Sequence, residues 1–156
     1  MKRITHYLAI SVLILGVVSM AIGIAFVVQG QIKANYIKDS MRLEQITVGL
    51  DETAIARGEL VDSGDEAQTA GDTIREHRRG IASTYNELLG EWRFDPTNPR
   101  HLSYAQALNL ESYLYLAVAG FGLATVATVS GIVMIVTGIA LGITGLTLRQ
   151  LAKRRS

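Results

Sequence analysis

SYLYLAVAGFGLATVATVSGIVMIVTGIALGITGLTL occupies residues 112–148, thirty-seven positions without a charge. As a helix rising about 1.5 Å per residue it would run roughly 55 Å, against about 30 Å for the hydrocarbon core of a bilayer. Two crossings of about eighteen residues would need a polar turn near Ser130-Gly131. No Pro, Asn or Asp stands there. The stretch therefore predicts one long helix over 113–148, with a membrane core at about 118–140. The remainder, 141–155, would run along or out of the inner face. Tyr113, Tyr115 and Phe121 suit an outer aromatic belt and Tyr7 an inner one.

A second apolar run precedes it. Leu8 to Val28 has no charge and only Ser11 and Ser19 among hydroxyl residues. Its twenty-one residues span about 30 Å as a helix. Lys2 and Arg3 would also suit a secretion signal, and Ser19-Met20-Ala21 a cleavage site, but signal cores run only about 7–15 residues. The length favours an uncleaved anchor.

Charge is segregated along the chain. All fourteen acidic residues lie between Gln31 and Ser112, with nine basic ones, so that stretch carries −5 although the whole chain is +1. The other six basics, Lys2, Arg3, Arg149, Lys153, Arg154 and Arg155, have no acid beside them. Positive flanks stay on the cytoplasmic side. The expectation is a multi-pass protein of the cell (plasma) membrane with both termini cytoplasmic. Its parts are a cytoplasmic N-terminus (1–7), a first transmembrane helix (8–28), an extracytoplasmic helical domain (29–112), the long helix (113–148) and a basic cytoplasmic tail (149–156). An acidic folded part excludes nucleic acid as a partner. The absence of cysteine excludes disulfides, thiol catalysis and cysteine-held metals.

Small residues recur near heptad spacing in both spans: Gly16, Gly23 and Gly30 in the first, and Gly120, Ala124, Ala127, Gly131, Gly138, Gly142 and Gly145 in the second. Helices in lipid associate by close backbone packing, so such a seam is where a partner helix fits. The partner would be the other span or another subunit.

The exported segment reads as helical. Residues 44–62 read as irregular, with strand character at Ile46-Thr47-Val48. Ser63-Gly64-Asp65-Glu66 fits a capping box. The helix it opens has Ala67, Ala70, Ile74, Ile81, Tyr85 and Leu88 on one face, predicting about seven turns to Gly90. Pro96 and Pro99 mark a turn, and Ser103-Tyr104-Ala105-Gln106 a second capping box. The fold class expected is an all-α membrane protein, two transmembrane helices extended into an extracytoplasmic helical hairpin.

At Ile46-Thr47-Val48, His77, Thr84-Tyr85-Asn86-Glu87-Leu88, Asp95-Pro96 and Phe121-Gly122 the chain resembles a bacterial family of small two-span membrane proteins of unknown function. Some of its members bear the name aromatic ring-opening dioxygenase. The resemblance implies the two-span architecture and no site residues. A facial iron site needs two histidines and a carboxylate converging. Here His6 falls across the membrane from His77 and His101, which lack paired-ligand spacing and, for His77, suit the domain core or rim. Asp62, Asp65 and Glu66 depart from the calcium-loop spacing and read as helix capping. Asp72, Arg75, Glu76 and Arg79 read as a salt-bridged face. No catalytic residue, metal ligand or cofactor is expected.

The function expected is structural or interactive, not enzymatic. It would be a membrane-anchored module held by the lipid bilayer and by a protein partner or self-association through the seams, an accessory subunit of an envelope complex. The alternative is a homo-oligomeric channel or transporter component lined by Thr125, Thr128, Ser130, Thr137 and Thr144. The lack of intramembrane charge counts against it. The short tails count against a signal transducer.

Overall fold

The computed structural model describes residues 2–91 and 93–154, so Arg155, one of the terminal basics, lies outside the described residues. The described residues form five helices, in the order α1 (Lys2–Leu43), α2 (Glu52–Ala56), α3 (Gly64–Ile81), α4 (Tyr85–Leu89) and α5 (Pro99–Arg154). No strand forms among the described residues. α1 and α5 are each long and apolar enough to cross a membrane, with best-window mean hydropathies of 2.7 and 2.3.

Residues divide into two compact units, one of 1–33 with 123–156 and one of 34–122. In the first, α1 and α5 run antiparallel. Ala9 stands by Gly145, Gly16 by Gly138, Gly23 by Gly131 and Gly30 by Ala124, so seven residues forward on α1 match seven back on α5. That register sets 8–28 opposite 126–146. The large side chains point away from the pair: Leu15, Val17, Val126, Val133 and Ile143 are all more than half exposed.

The second unit has its own core of Met41, Ile46, Val61, Ala67, Ala70, Leu114 and Ala117, flanked by Tyr113, Val118 and Phe121. The charge-free run on α5 is shared between the two units. Its first eleven residues, 112–122, belong to the second unit, where Leu114 and Ala117 enter the core and Tyr113, Val118 and Phe121 pack against it. Residues 141–146 pack beside α1, with Leu141 against Gly16 and Gly145 against Leu13.

Local structure departs from the sequence reading at four places. Residues 44–62 contain α2, capped by Asp51 through the Ala54 amide. Ile46 and Val61 meet through one backbone hydrogen bond, from the Val61 N–H to the Ile46 carbonyl at 2.9 Å, and no ladder develops. The long helix opened at Ser63, whose capping box is present, stops at Ile81 rather than Gly90. Ala82 turns extended, and Thr84 caps α4 by accepting the Glu87 amide while Glu87 accepts the Ser83 amide. α5 begins at Pro99, not at Ser103: proline suits a first helical position, and Asn98 accepts the Arg100 amide through Oδ1 and the Leu102 amide through its carbonyl.

Candidate functional site: a small-residue helix seam

The seam is built by glycines whose missing Cβ lets one backbone approach the other. A Cβ on Gly131 would lie 2.5 Å from the Gly23 carbonyl oxygen and 2.8 Å from the Val27 nitrogen. The relation is reciprocal, since a Cβ on Gly23 would lie 2.6 Å from the Gly131 carbonyl oxygen. Gly16 and Gly138 repeat it at 2.8 and 2.6 Å to each other's oxygens. The obstructing atoms are main chain, so a side chain cannot swing aside to make room.

Of the residues expected on the seam, Gly16, Gly23, Gly30, Gly131 and Gly138 are buried on the contact line, and Ala124 with them. Three sit differently. Gly120 belongs to the second unit, where it meets Ile37. Ala127 is half-buried to one side. A Cβ on Gly142 would meet nothing within 4 Å, so of the pair Gly138-x-x-x-Gly142 only Gly138 needs its missing Cβ against α1, while Gly142 brings its main-chain nitrogen to Gly16. Ala9, fully buried, was missed by the sequence reading. One further heptad step back from Gly16 finds it.

Several hydroxyls in this unit bond to main-chain carbonyls. Ser19 donates to the Met134 carbonyl across the pair at 2.8 Å. Thr128, Thr137 and Thr144 each donate to the carbonyl four residues earlier on α5. A hydroxyl so engaged offers no free donor to lipid or to a partner.

Among the described residues of the second unit, one nearly enclosed charge pair joins α3 to α5. Arg78 donates through Nε and Nη2 to the two Glu111 oxygens, at 2.5 and 3.3 Å, and through Nη1 to the Tyr104 hydroxyl at 2.6 Å. Both charged side chains are about nine-tenths covered, at 11 % and 10 % exposure. The Glu111 hydrogen bond, against burial, raises Arg78 above its ordinary value, so the guanidinium is permanently charged. The face expected from Asp72 and Arg75 forms an ion pair at 2.6 Å, and Tyr115 also donates to Asp72. Asp62 accepts from Lys38 and Arg42 of α1 at 3.2 and 2.6 Å. Burial alone would raise its pKa, but these two partners hold it below the ordinary value.

The histidines do not converge. His77 is exposed on α3, not at the core or rim, whereas His101 is buried at the start of α5. His6 belongs to the other unit. Among the described residues no three His, Asp or Glu side chains are grouped as a metal site would require. No family model, curated protein or solved structure matches the chain.

Proposed function

We propose that the protein is a two-pass membrane protein in which 8–28 and 126–146 cross the bilayer as one tightly joined helix pair. Both termini are cytoplasmic, and residues 34–122 form an extracytoplasmic module that engages other envelope components, as an accessory subunit would. The observation that carries this reading is the inside-out polarity of the first unit, with glycine and alanine at the contact and bulky aliphatic side chains outside. A water-soluble pair would bury the latter, since exposed apolar patches on soluble monomers seldom exceed a few hundred Å². The antiparallel register adds support for orientation: Lys2, Arg3, Arg149, Lys153 and Arg154 all fall at the same end of the pair. The resemblance to the two-span bacterial family accords with this architecture.

The channel reading is the weaker one. The α1–α5 contact is closed by main chain, three of the five hydroxyls that would line a pore bond to their own helix, and no charge lies in either span. The reading carries no enzymatic step and no cofactor.

Two experiments test it. A cysteine at Asn86, exposed on α4, should react with an impermeant maleimide in intact cells, and one at Ser156 only after permeabilisation. The reverse pattern would overturn the orientation. Purification in a mild detergent with mass spectrometry should then recover a stoichiometric partner. A ring of this chain alone would favour the channel.

A further inference from the structure

A buried histidine pins the turn before α5 by a bond that only its uncharged form can make. His101, in the first turn of α5, is 8 % exposed. Its Nδ1 accepts the Asp95 main-chain N–H at 3.0 Å, and its ring stacks on Phe94 with centroids 5.6 Å apart. A ring nitrogen that accepts carries no proton, whereas in the imidazolium both nitrogens donate. Protonation therefore sets an N–H against an N–H and deletes the acceptor.

Which partner yields follows from what else holds each. The ring is enclosed, and an imidazolium over the Phe94 face gains a cation–π attraction, so the ring stays. The rest of the turn is tied without it. The Asp95 carboxylate accepts the Thr97 amide and hydroxyl at 2.8 and 2.7 Å, and the Asp95 carbonyl accepts the Asn98 amide at 3.2 Å. The Thr97 bonds hold the Asp95 carboxyl below its ordinary value, so it stays charged in mild acid. What gives way is the peptide between Phe94 and Asp95.

The charges around His101 come from the turn and from α5. The Asp95 carboxylate attracts an imidazolium, while the guanidiniums of Arg93 and Arg100 oppose it. Arg100 is itself held to the Ile81 carbonyl at the end of α3, at 2.5 and 3.1 Å. α4 brings Leu88 and Leu89 to the same recess and no charge. We propose that His101 is a pH-responsive latch: proton uptake by its ring releases the Asp95 N–H and unpins the turn 94–98 from α5. Histidine changes charge between about pH 5 and 8, so mild acid suffices. In the orientation proposed above the latch faces the outside of the cell and answers to its acidity. That meaning rests on the membrane reading, whereas the latch itself lies wholly in the second unit.

The test is an NMR titration of the isotope-labelled full chain in a non-ionic detergent, from about pH 8 down to about pH 5. The His101 ring protons and the Asp95 amide should move together with a single midpoint. The Thr97 and Asn98 amides, whose acceptors do not titrate in this range, should move little. Protection of the Asp95 amide against exchange, corrected for the intrinsic effect of pH, should fall about fivefold in acid, the equivalent of one net hydrogen bond. His101→Asn sets an oxygen where Nδ1 stood and takes up no proton, so its Asp95 amide should stay protected throughout. The wild-type comparison of Asp95 with Thr97 and Asn98 decides the matter even where that variant fails to fold. A His101 ring that titrates while the Asp95 amide stays still would overturn the proposal, as would a ring that takes up no proton down to about pH 5. An Asp95 amide that still moves in folded His101→Asn would assign the response to another group and overturn it too. None of these outcomes bears on the topology of the spans, which the maleimide experiment reads separately.

Discussion

Replacing Gly131 by leucine should force α1 and α5 apart. The Cβ alone would stand 2.5 Å from the Gly23 oxygen and 2.8 Å from both the Val27 nitrogen and its Cγ2, where ordinary contact begins near 3.4 Å. Relief needs a local separation of about 0.9 Å, before the rest of the side chain is placed. A radial gap of 0.5–1 Å forfeits roughly a quarter to a half of each dispersion contact it opens. Close packing, not a hydrophobic drive, is what joins helices in lipid. Overpacking of this kind costs about 1–3 kcal/mol. For a chain of 156 residues, with an unfolding entropy of about 2.1 cal/mol/K per residue, that is a fall in Tm of roughly 3–9 °C. Thermal melts by circular dichroism in a mild detergent would read it. Val133→Leu and Val17→Leu, at positions 58 % and 66 % exposed, should move Tm by less than a degree or so. A sharper comparison uses the two glycines four apart. Gly138→Ala puts a methyl 2.6 Å from the Gly16 oxygen and should destabilise. Gly142→Ala meets open space and should gain some of the 0.5–1 kcal/mol that alanine holds over glycine in a helix. Equal Tm values for Gly131→Leu and Val133→Leu, or for the two alanine variants, would refute the seam.

The Arg78–Glu111 pair supplies a second prediction. Arg78→Met leaves Glu111 charged and nearly covered, and should cost about 2–3 kcal/mol in denaturant unfolding, somewhat below a fully enclosed pair. Arg78→Met with Glu111→Leu should recover much of that loss. Asp62 supplies a third: its folded pKa is depressed by Arg42 and Lys38, so its contribution is present above the unfolded value near 3.8 and lost as pH falls through the lower folded value. Asp62→Asn should therefore destabilise at neutral pH and flatten the acid limb of a stability–pH curve. An unchanged acid limb would remove Asp62 from the account.

What the sequence determined by itself rests on long runs and on local chemistry. Thirty-seven uncharged residues can only be helix if they avoid water, because unpaired backbone groups in an apolar environment cost several kcal/mol each. Ser63-x-x-Glu66 names a helix start for the same local reason: side chain and amide satisfy each other within four residues. Thr84-x-x-Glu87 carried the same signal inside an apolar pattern that seemed continuous, and the heptad reached Ala9 unnoticed. Both were legible in principle. Tertiary structure alone decided three other matters. It set the register in which Gly16 meets Gly138 and Gly23 meets Gly131, because a period of seven says which face is small and nothing of what stands opposite. It divided the long apolar run between a helix pair and a protein core, since leucine and alanine serve both environments equally well. And it brought Arg78 to Glu111 and His101 to the Asp95 amide, contacts made by the angle of one helix on another or the turn of a loop. Hydropathy and capping act over neighbouring residues, so a sequence displays them. Close approach depends on where a distant backbone lies, and only the folded chain places it.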